Sequence, residues 1–234
     1  MGELDAPLLV DFPLRGEWTV ERTPADRIPS HGTDAFGLRY AYDFIRTDQR
    51  RGLHPHPSGT ARWILVGGRT QDCYGWDQPV HAAAGGQVVE AVDGVPERRW
   101  IHPVVEALAA LRNTVALVRG RLDLTRLAGN HVIVESKSVY ALYGHLAPGS
   151  VTVTKGGAIP AGHVIGRVGH TGNSTAPHLH FQLMDRADAL TARGIPCAFE
   201  AYQVLRGERW MLVKRGVPER LERIRPVPRV NEGA

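Results

Sequence analysis

The stretch Ala176–Asp185, read as Ala-Pro-His-Leu-His-Phe-Gln-Leu-Met-Asp, constrains this chain more than any other. Side chains of a β-strand alternate between the two faces of a sheet. As a strand, the segment puts His178, His180 and Gln182 on one face and Leu179, Phe181 and Leu183 on the other. The apolar face reads as a core contact. The polar face presents two imidazoles roughly 7 Å apart, a spacing that suits one metal ligand beside one catalytic imidazole. Such pairs also arise by accident, so the reading depends on what surrounds them.

Upstream, Asn130–Val134, a Glu-Ser-Lys-Ser turn and Val139–Leu146 read as a hairpin whose second strand delivers His145 at its end. Ser150–Gly169 follows as short β segments punctuated by glycine, and Thr171–Pro177 leads straight into His178. Tyr143-Gly-His-Leu146, Gly162-His-Val-Ile-Gly166, Gly169-His-Thr-Gly-Asn-Ser-Thr175 and Pro177-His-Leu-His-Phe181 together resemble the core of the lysostaphin-like zinc metallopeptidases, a family of peptidoglycan endopeptidases. A weaker likeness covers Pro79–Glu90, which resembles the strand pair that follows the family's first metal ligands.

Zinc in a hydrolase usually takes three protein ligands and leaves a fourth position for water. The resemblance implies that a histidine and an aspartate from the N-terminal side join the second histidine of the pair, His180. The best-matching aspartate is Asp43, in the aromatic strand Tyr40-Ala-Tyr-Asp-Phe44; Asp34 is its competitor. The family's histidine lies four residues before that aspartate, where this chain has Arg39, which does not bind zinc. The nearest substitute is His31, since no other histidine precedes His54. The expected ligand set is therefore His31, Asp43 and His180. The resemblance leaves His145 and His178 to flank the attacking water and the developing oxyanion, one taking a proton and the other hydrogen-bonding the intermediate. Which does which is not set by the sequence.

The remaining histidines carry less. His54-Pro-His56 sits in loop composition and reads as solvated, with metal binding the lesser alternative. His170 reads as an exposed turn residue or as a lining of the substrate groove. Tyr143 would share a strand face with His145, either hydrogen-bonding substrate or packing with its hydroxyl at the rim.

A net charge of +4 suits an anionic polymer such as cell wall or nucleic acid. Basic residues are interspersed with acidic ones, as in Glu219–Arg225, and no basic stripe interleaves with aromatics, which argues against nucleic acid. Cys73 and Cys197 form no Cys-x-x-Cys and no disulfide framework; free thiols are the simplest reading, a single disulfide the alternative. No secretory signal pattern is found at the start, and no run approaches the roughly 20 apolar residues of a membrane span. As written, the chain is expected to stay in the cytoplasm or leave by a non-classical route.

The expected fold is mainly β, an antiparallel sheet or sandwich of the lysostaphin-like type with a helical insertion. Residues 1–30 would supply N-terminal strands, with Leu8–Thr23 as edge strands. Residues 31–200 would form the metallopeptidase domain, and 201–234 a strand pair, centred on Phe199–Val213, and an extended tail. Phe36–Gly94 would give the first half of the sheet. Relatives pass from there to Gly129 in a short turn; here a helical insertion at about 96–128 intervenes. Val104, Val105, Leu108, Leu111 and Val115 recur at helical spacing, so Pro103–Val118 reads as an amphipathic helix. It would pack on the outside of the sheet, wall the groove or meet another subunit.

Three functions compete on this reading. The first is a zinc endopeptidase acting on peptidoglycan stems or cross-bridges. The second is a degenerate module that regulates another hydrolase, supported by Arg39. The third is a phosphocarrier-like domain that uses a histidine pair without metal.

Overall fold

A computed structural model describes residues 6–48, 54–118 and 123–227. The fold is mainly β, built on one large sheet. Its strands run in the order Leu8–Val10, Cys197–Arg206, Arg223–Pro226, Trp18–Arg22, Tyr42–Ile45, His178–Met184, Val139–Leu146, Asn130–Ser136, Gly86–Val92 and Ala158–Ile159. Gly194–Ile195 pairs beside His178–Met184, and Arg209–Gly216 beside Cys197–Arg206. Every pairing within this sheet is antiparallel except that of Leu8–Val10 with Cys197–Phe199. His178–Met184 thus lies in the interior, hydrogen-bonded on both sides, and all seven of its residues are buried.

The alternation read from the sequence sets the two faces. Leu179 lies opposite Phe44 and Phe181 opposite Tyr42 across one ladder. These four pack with Trp18, Val20, Tyr143 and Phe199 in the main apolar core. Directly paired residues share a face, so His180, opposite Asp43, puts both polar groups on the other side.

Several sequence expectations are corrected. Leu8–Val10 is an edge, but Trp18–Arg22 is enclosed between Arg223–Pro226 and Tyr42–Ile45. The expected extended tail is partly ordered: Arg223–Pro226 is an interior strand, fixed by the fully buried Ile224; residues 228–234 lie outside the described ones. Pro79–His81 and Gly86–Val92 do not pair with each other, the former joining Val164–Arg167 and the latter the main sheet. Phe36–Gly94 supplies fewer strands than expected and includes the helix α1, Thr60–Val66. The Asn130–Ser136 and Val139–Leu146 hairpin is tighter than expected, turning on Lys137 and Ser138, both at positive φ.

The helix α2 spans Pro103–Val118, as its periodicity predicts. Its described apolar side chains do not face the sheet, against one of the expected placements. Val104, Val105 and Leu108 are exposed, whereas Glu106 is 2% exposed. The side chains of Leu111 and Val115 lie outside the described residues. A short helix α3, Leu124–Ala128, capped by the Asp123 side chain, completes the insertion. No helix among the described residues is long and apolar enough to cross a membrane.

Candidate metal centre and active site

The polar face of the central strands carries the site. Asp43 is 5% exposed and accepts contacts on both carboxylate oxygens: His31 Nε2 lies 2.9 Å from Oδ2, and His180 Nδ1 2.8 Å from Oδ1. His178 Nε2 lies 3.6 Å from the same Oδ1. His31 reaches the centre from a loop tied down beside it. Ser30 donates its amide to the Arg39 carbonyl at 3.0 Å and its hydroxyl to the Leu38 carbonyl at 3.1 Å, while His31 Nδ1 meets Ser30 Oγ at 3.0 Å. Ligand atoms of His31, Asp43 and His180 lie within 4.8 Å of one another, the one such group of three among the described residues. Two imidazoles and a carboxylate that already converge are the donor set zinc favours in catalytic sites. The arrangement fits such an ion.

Arg39, at the position where the family's histidine would stand, turns outward to pair with Asp34, and both are well exposed. Asp34 is thereby kept away from the cluster.

His145 and His178 stand beside this group with ring centroids 4.6 Å apart. His145 Nδ1 donates to the Thr171 carbonyl at 2.9 Å. His178 Nδ1 donates to the Ala176 carbonyl at 2.8 Å and lies 3.1 Å from Ser174 Oγ. A carbonyl can only accept, so each ring carries a proton on Nδ1 and turns Nε2 to the groove. Burial, reinforced by the neighbouring His178 and His180, pushes the pKa of His145 well below its ordinary value. Burial would lower His178 as well, but the Asp43 charge and hydrogen bond outweigh it and raise it to about 9. Asp43 shows the converse: burial favours its neutral form, yet the charges of His31 and His178 hold it well below the usual carboxylate range. Burial lowers His31 in spite of Asp43.

The five residues line a groove of about 680 Å³ together with Arg22, Phe36, Leu38, Leu127, Asn173 and Thr175. An apolar recess of about 110 Å³, walled by Phe36, Leu38, Leu124, Leu127 and Leu142, opens beside His31 and His180. Gly37 closes this side of the site. Its φ is +72°, and a Cβ there would come within 2.6 Å of Gln182 Nε2 and 2.9 Å of Met184 Cγ. Only glycine adopts that conformation without cost in so tight a place.

Other histidine expectations fail. His54 and His56 are each 6% exposed instead of solvated; His56 stacks on Trp63 with centroids 5.0 Å apart, and neither joins the cluster. Tyr143 is fully buried, its hydroxyl accepting the Ala83 amide at 2.7 Å, so it neither meets substrate nor reaches a rim. The strand alternation breaks at His145, whose φ is +63°, which separates it from the face of Tyr143. His170 is fully buried, contrary to both sequence alternatives. Cys73 and Cys197 are free, buried thiols, and burial pushes both up to about 12, so neither is a ready nucleophile.

Sequence reasoning missed Arg22, whose Nε lies 3.6 Å from Asp43 Oδ2. It faces Asp43 because a bulge shifts the register between Val20 and Arg22, which no residue pattern announced. It also passed over Gln182, which the alternation does place on this face; Gln182 Oε1 lies 2.8 Å from His180 Nε2.

Residues 74–192 match peptidase family M23. The chain belongs to that family. The matched region holds His145, His178 and His180, while His31 and Asp43 precede it. The peptidoglycan DD-endopeptidase ShyA of Vibrio cholerae serotype O1 is 38% identical over 108 residues, which are 40% of this chain and 25% of that protein. ShyB of the same organism, also a peptidoglycan DD-endopeptidase, is 41% identical over 69 residues, 28% of this chain and 16% of that protein. The matches therefore span a quarter or less of these relatives. Among solved structures, the catalytic domain of the antimicrobial peptidase lysostaphin from Staphylococcus simulans aligns with 77% of this chain and 88% of its own, at 20% identity and a TM-score of 0.37.

Proposed function

We propose that this member of the M23 peptidases is a zinc-dependent endopeptidase that hydrolyses peptide bonds in peptidoglycan stems or cross-bridges. The observation that carries the reading is the convergence of His31, Asp43 and His180 on the groove floor beside two further imidazoles. The peptidoglycan part draws on the ShyA and ShyB likeness. In this reading residues 31–200 are the catalytic unit, and His31 takes the place that Arg39 vacates.

Bound between His31, Asp43 and His180, zinc would supply Lewis acidity and a lowered pKa for water in its open position. The chain's own residues do the rest. His145 is kept neutral by burial, and its Nδ1–H is committed to Thr171, so Nε2 is the atom that takes a proton from the attacking water. His178 is anchored on the Ala176 carbonyl and hydrogen-bonds the substrate oxygen as charge develops there. The apolar recess of Phe36, Leu38 and Leu127 takes a substrate side chain and excludes water.

The test uses zinc-loaded full-length protein, purified wall fragments and short glycine- or alanine-containing peptides, followed by assay of new amino groups. Chelator-sensitive cleavage with one zinc per chain, abolished in His180→Ala, is the expected result. Stoichiometric zinc with no cleavage would overturn the endopeptidase reading in favour of a binding module that regulates another hydrolase.

A further inference from the structure

The insertion does more than cover the sheet. Its first residues and α2 converge on the loop that precedes the histidine strand. Glu97 accepts the His170 amide at 3.0 Å through one carboxylate oxygen and the Trp76 indole at 2.8 Å through the other. Arg98 donates to the Ser174 carbonyl at 2.8 Å, to the Gly172 carbonyl at 3.3 Å and to His170 Nε2 at 3.0 Å. Glu106, from the first turn of α2, holds that guanidinium at 2.9 Å. Glu106 and His170 are almost wholly buried, while the guanidinium that joins them keeps 41% of its side chain exposed.

The chain of hydrogen bonds has a direction. A guanidinium only donates, so His170 Nε2 must accept and its proton sits on Nδ1. Nδ1 lies 2.9 Å from Ser174 Oγ. Ser174 in turn donates to the Ala176 carbonyl at 2.7 Å, which leaves its lone pairs to accept from His170 and from His178 Nδ1. The path is thus Glu106, Arg98, His170, Ser174, His178. The loop itself is held against Gly129: a Cβ on Gly172, whose φ is +67°, would lie 2.4 Å from the Gly129 nitrogen. It has little freedom to relax around a lost contact.

We propose that the insertion is a positioning device for His178, with Glu106 and His170 as positioning residues that fix its ring orientation through Arg98 and Ser174. The proposal rests on the assignment of His178 to the groove chemistry, and goes beyond it by giving the insertion a part in turnover. The competing account is that a buried ion pair merely fastens the insertion to the sheet.

Glu106→Ala, His170→Phe and His170→Gln separate the two in full-length, zinc-loaded protein. Glutamine keeps one donor for Ser174 and one acceptor for Arg98. Positioning predicts that Glu106→Ala and His170→Phe lower kcat by about 10-fold or more, towards the 10²-fold that a 1 Å misplacement costs. KM and zinc content should stay unchanged, and His170→Gln should retain most of the turnover. Long-range ¹H–¹⁵N spectra of the metal-free protein give a readout independent of activity. They should show one set of His178 ring signals in the wild type, and shifted or doubled ring signals in Glu106→Ala and His170→Phe. Unchanged kcat with a lowered Tm, or His178 ring signals identical in all variants, would overturn the proposal. If the wild type cleaves no peptide, the endopeptidase reading fails, and the ring spectra alone decide this one.

Discussion

Replacing Asp43 with asparagine in the metal-free protein should produce a loss of stability that depends on pH in a defined way. Asp43 is buried against three imidazoles; burial lowers His178, but the charge and hydrogen bond of Asp43, aided by Glu21 and the Ala176 carbonyl, raise it from 6.5 to about 9. At 1.36 kcal/mol for each tenfold in proton affinity, that rise corresponds to about 3 kcal/mol of attraction, counted once for the pair. A group whose folded pKa is raised stabilises fully below its unfolded pKa and loses that contribution as pH rises through the folded value. The Asp43→Asn deficit should therefore be largest between about pH 4 and 6.5 and shrink by about 3 kcal/mol as pH passes 9. Below that window the wild type loses the same attraction as Asp43 itself protonates, its pKa being held well below the ordinary 3.8. In a domain of this size, about 2–4 °C of Tm accompanies each kcal/mol. Thermal unfolding of both proteins in chelator, from pH 4 to 10, would show Tm curves about 6–12 °C apart near pH 6 that draw together above pH 9. Zinc should raise the Tm of the wild type and leave the variant almost unmoved, because ligands bound only by the native state stabilise it by mass action. A separation independent of pH would refute the ionic coupling of Asp43 and His178.

Three further outcomes follow from the site. His145→Ala and His178→Ala should keep one zinc per chain while turnover falls by about 10²–10⁴-fold, the usual contribution of a general acid–base group; metal analysis beside peptide cleavage decides it, and near-wild-type activity in both would remove them from the mechanism. His31→Ala should lose zinc and Asp34→Ala should retain it, since Asp34 is turned out toward Arg39; the reverse result in a dialysis titration would break the ligand set. Gly37→Ala should cost about 1–3 kcal/mol in denaturant unfolding, because alanine there meets both a positive φ and the Gln182 and Met184 side chains; a neutral substitution would show that this wall is loose.

What the sequence disclosed, it disclosed through period and local chemistry. A period of two over His178–Met184 was enough to divide core from site, since burial on one face allows no slippage by a single residue. Asp43 was singled out by its family-like Tyr-x-Asp-Phe setting, and the rings of Tyr42 and Phe44 in the core put it on the opposite face. His31 was harder to read: it arrives from a loop, where no period applies, and was reached only because Arg39 could not serve. His54, His56 and His170 were misread because loop composition suggests solvent, whereas His54 and His56 pack against the Trp63 ring and His170 meets the buried Ser174 and Glu106.

The helix α2 shows most clearly where such reading ends. Its apolar spacing identified the element but did not settle which face is buried. Periodicity assumes that the apolar stripe decides which side is buried. Here Glu106 is the residue drawn in, and Val104, Val105 and Leu108 are left outside. An unpaired buried carboxylate would be far more costly than three exposed aliphatic side chains, so the orientation stands only while Arg98 and His170 meet Glu106. Arg98 is eight residues away within the same insertion, and His170 is distant in sequence, in the loop that carries Ser174. The same ion pair that holds this face of the helix inward thus ties it to the loop that leads to His178. An insertion docked by its apolar stripe could have covered the sheet anywhere, but one docked through Glu106 has to sit where Arg98 and His170 are, beside His178.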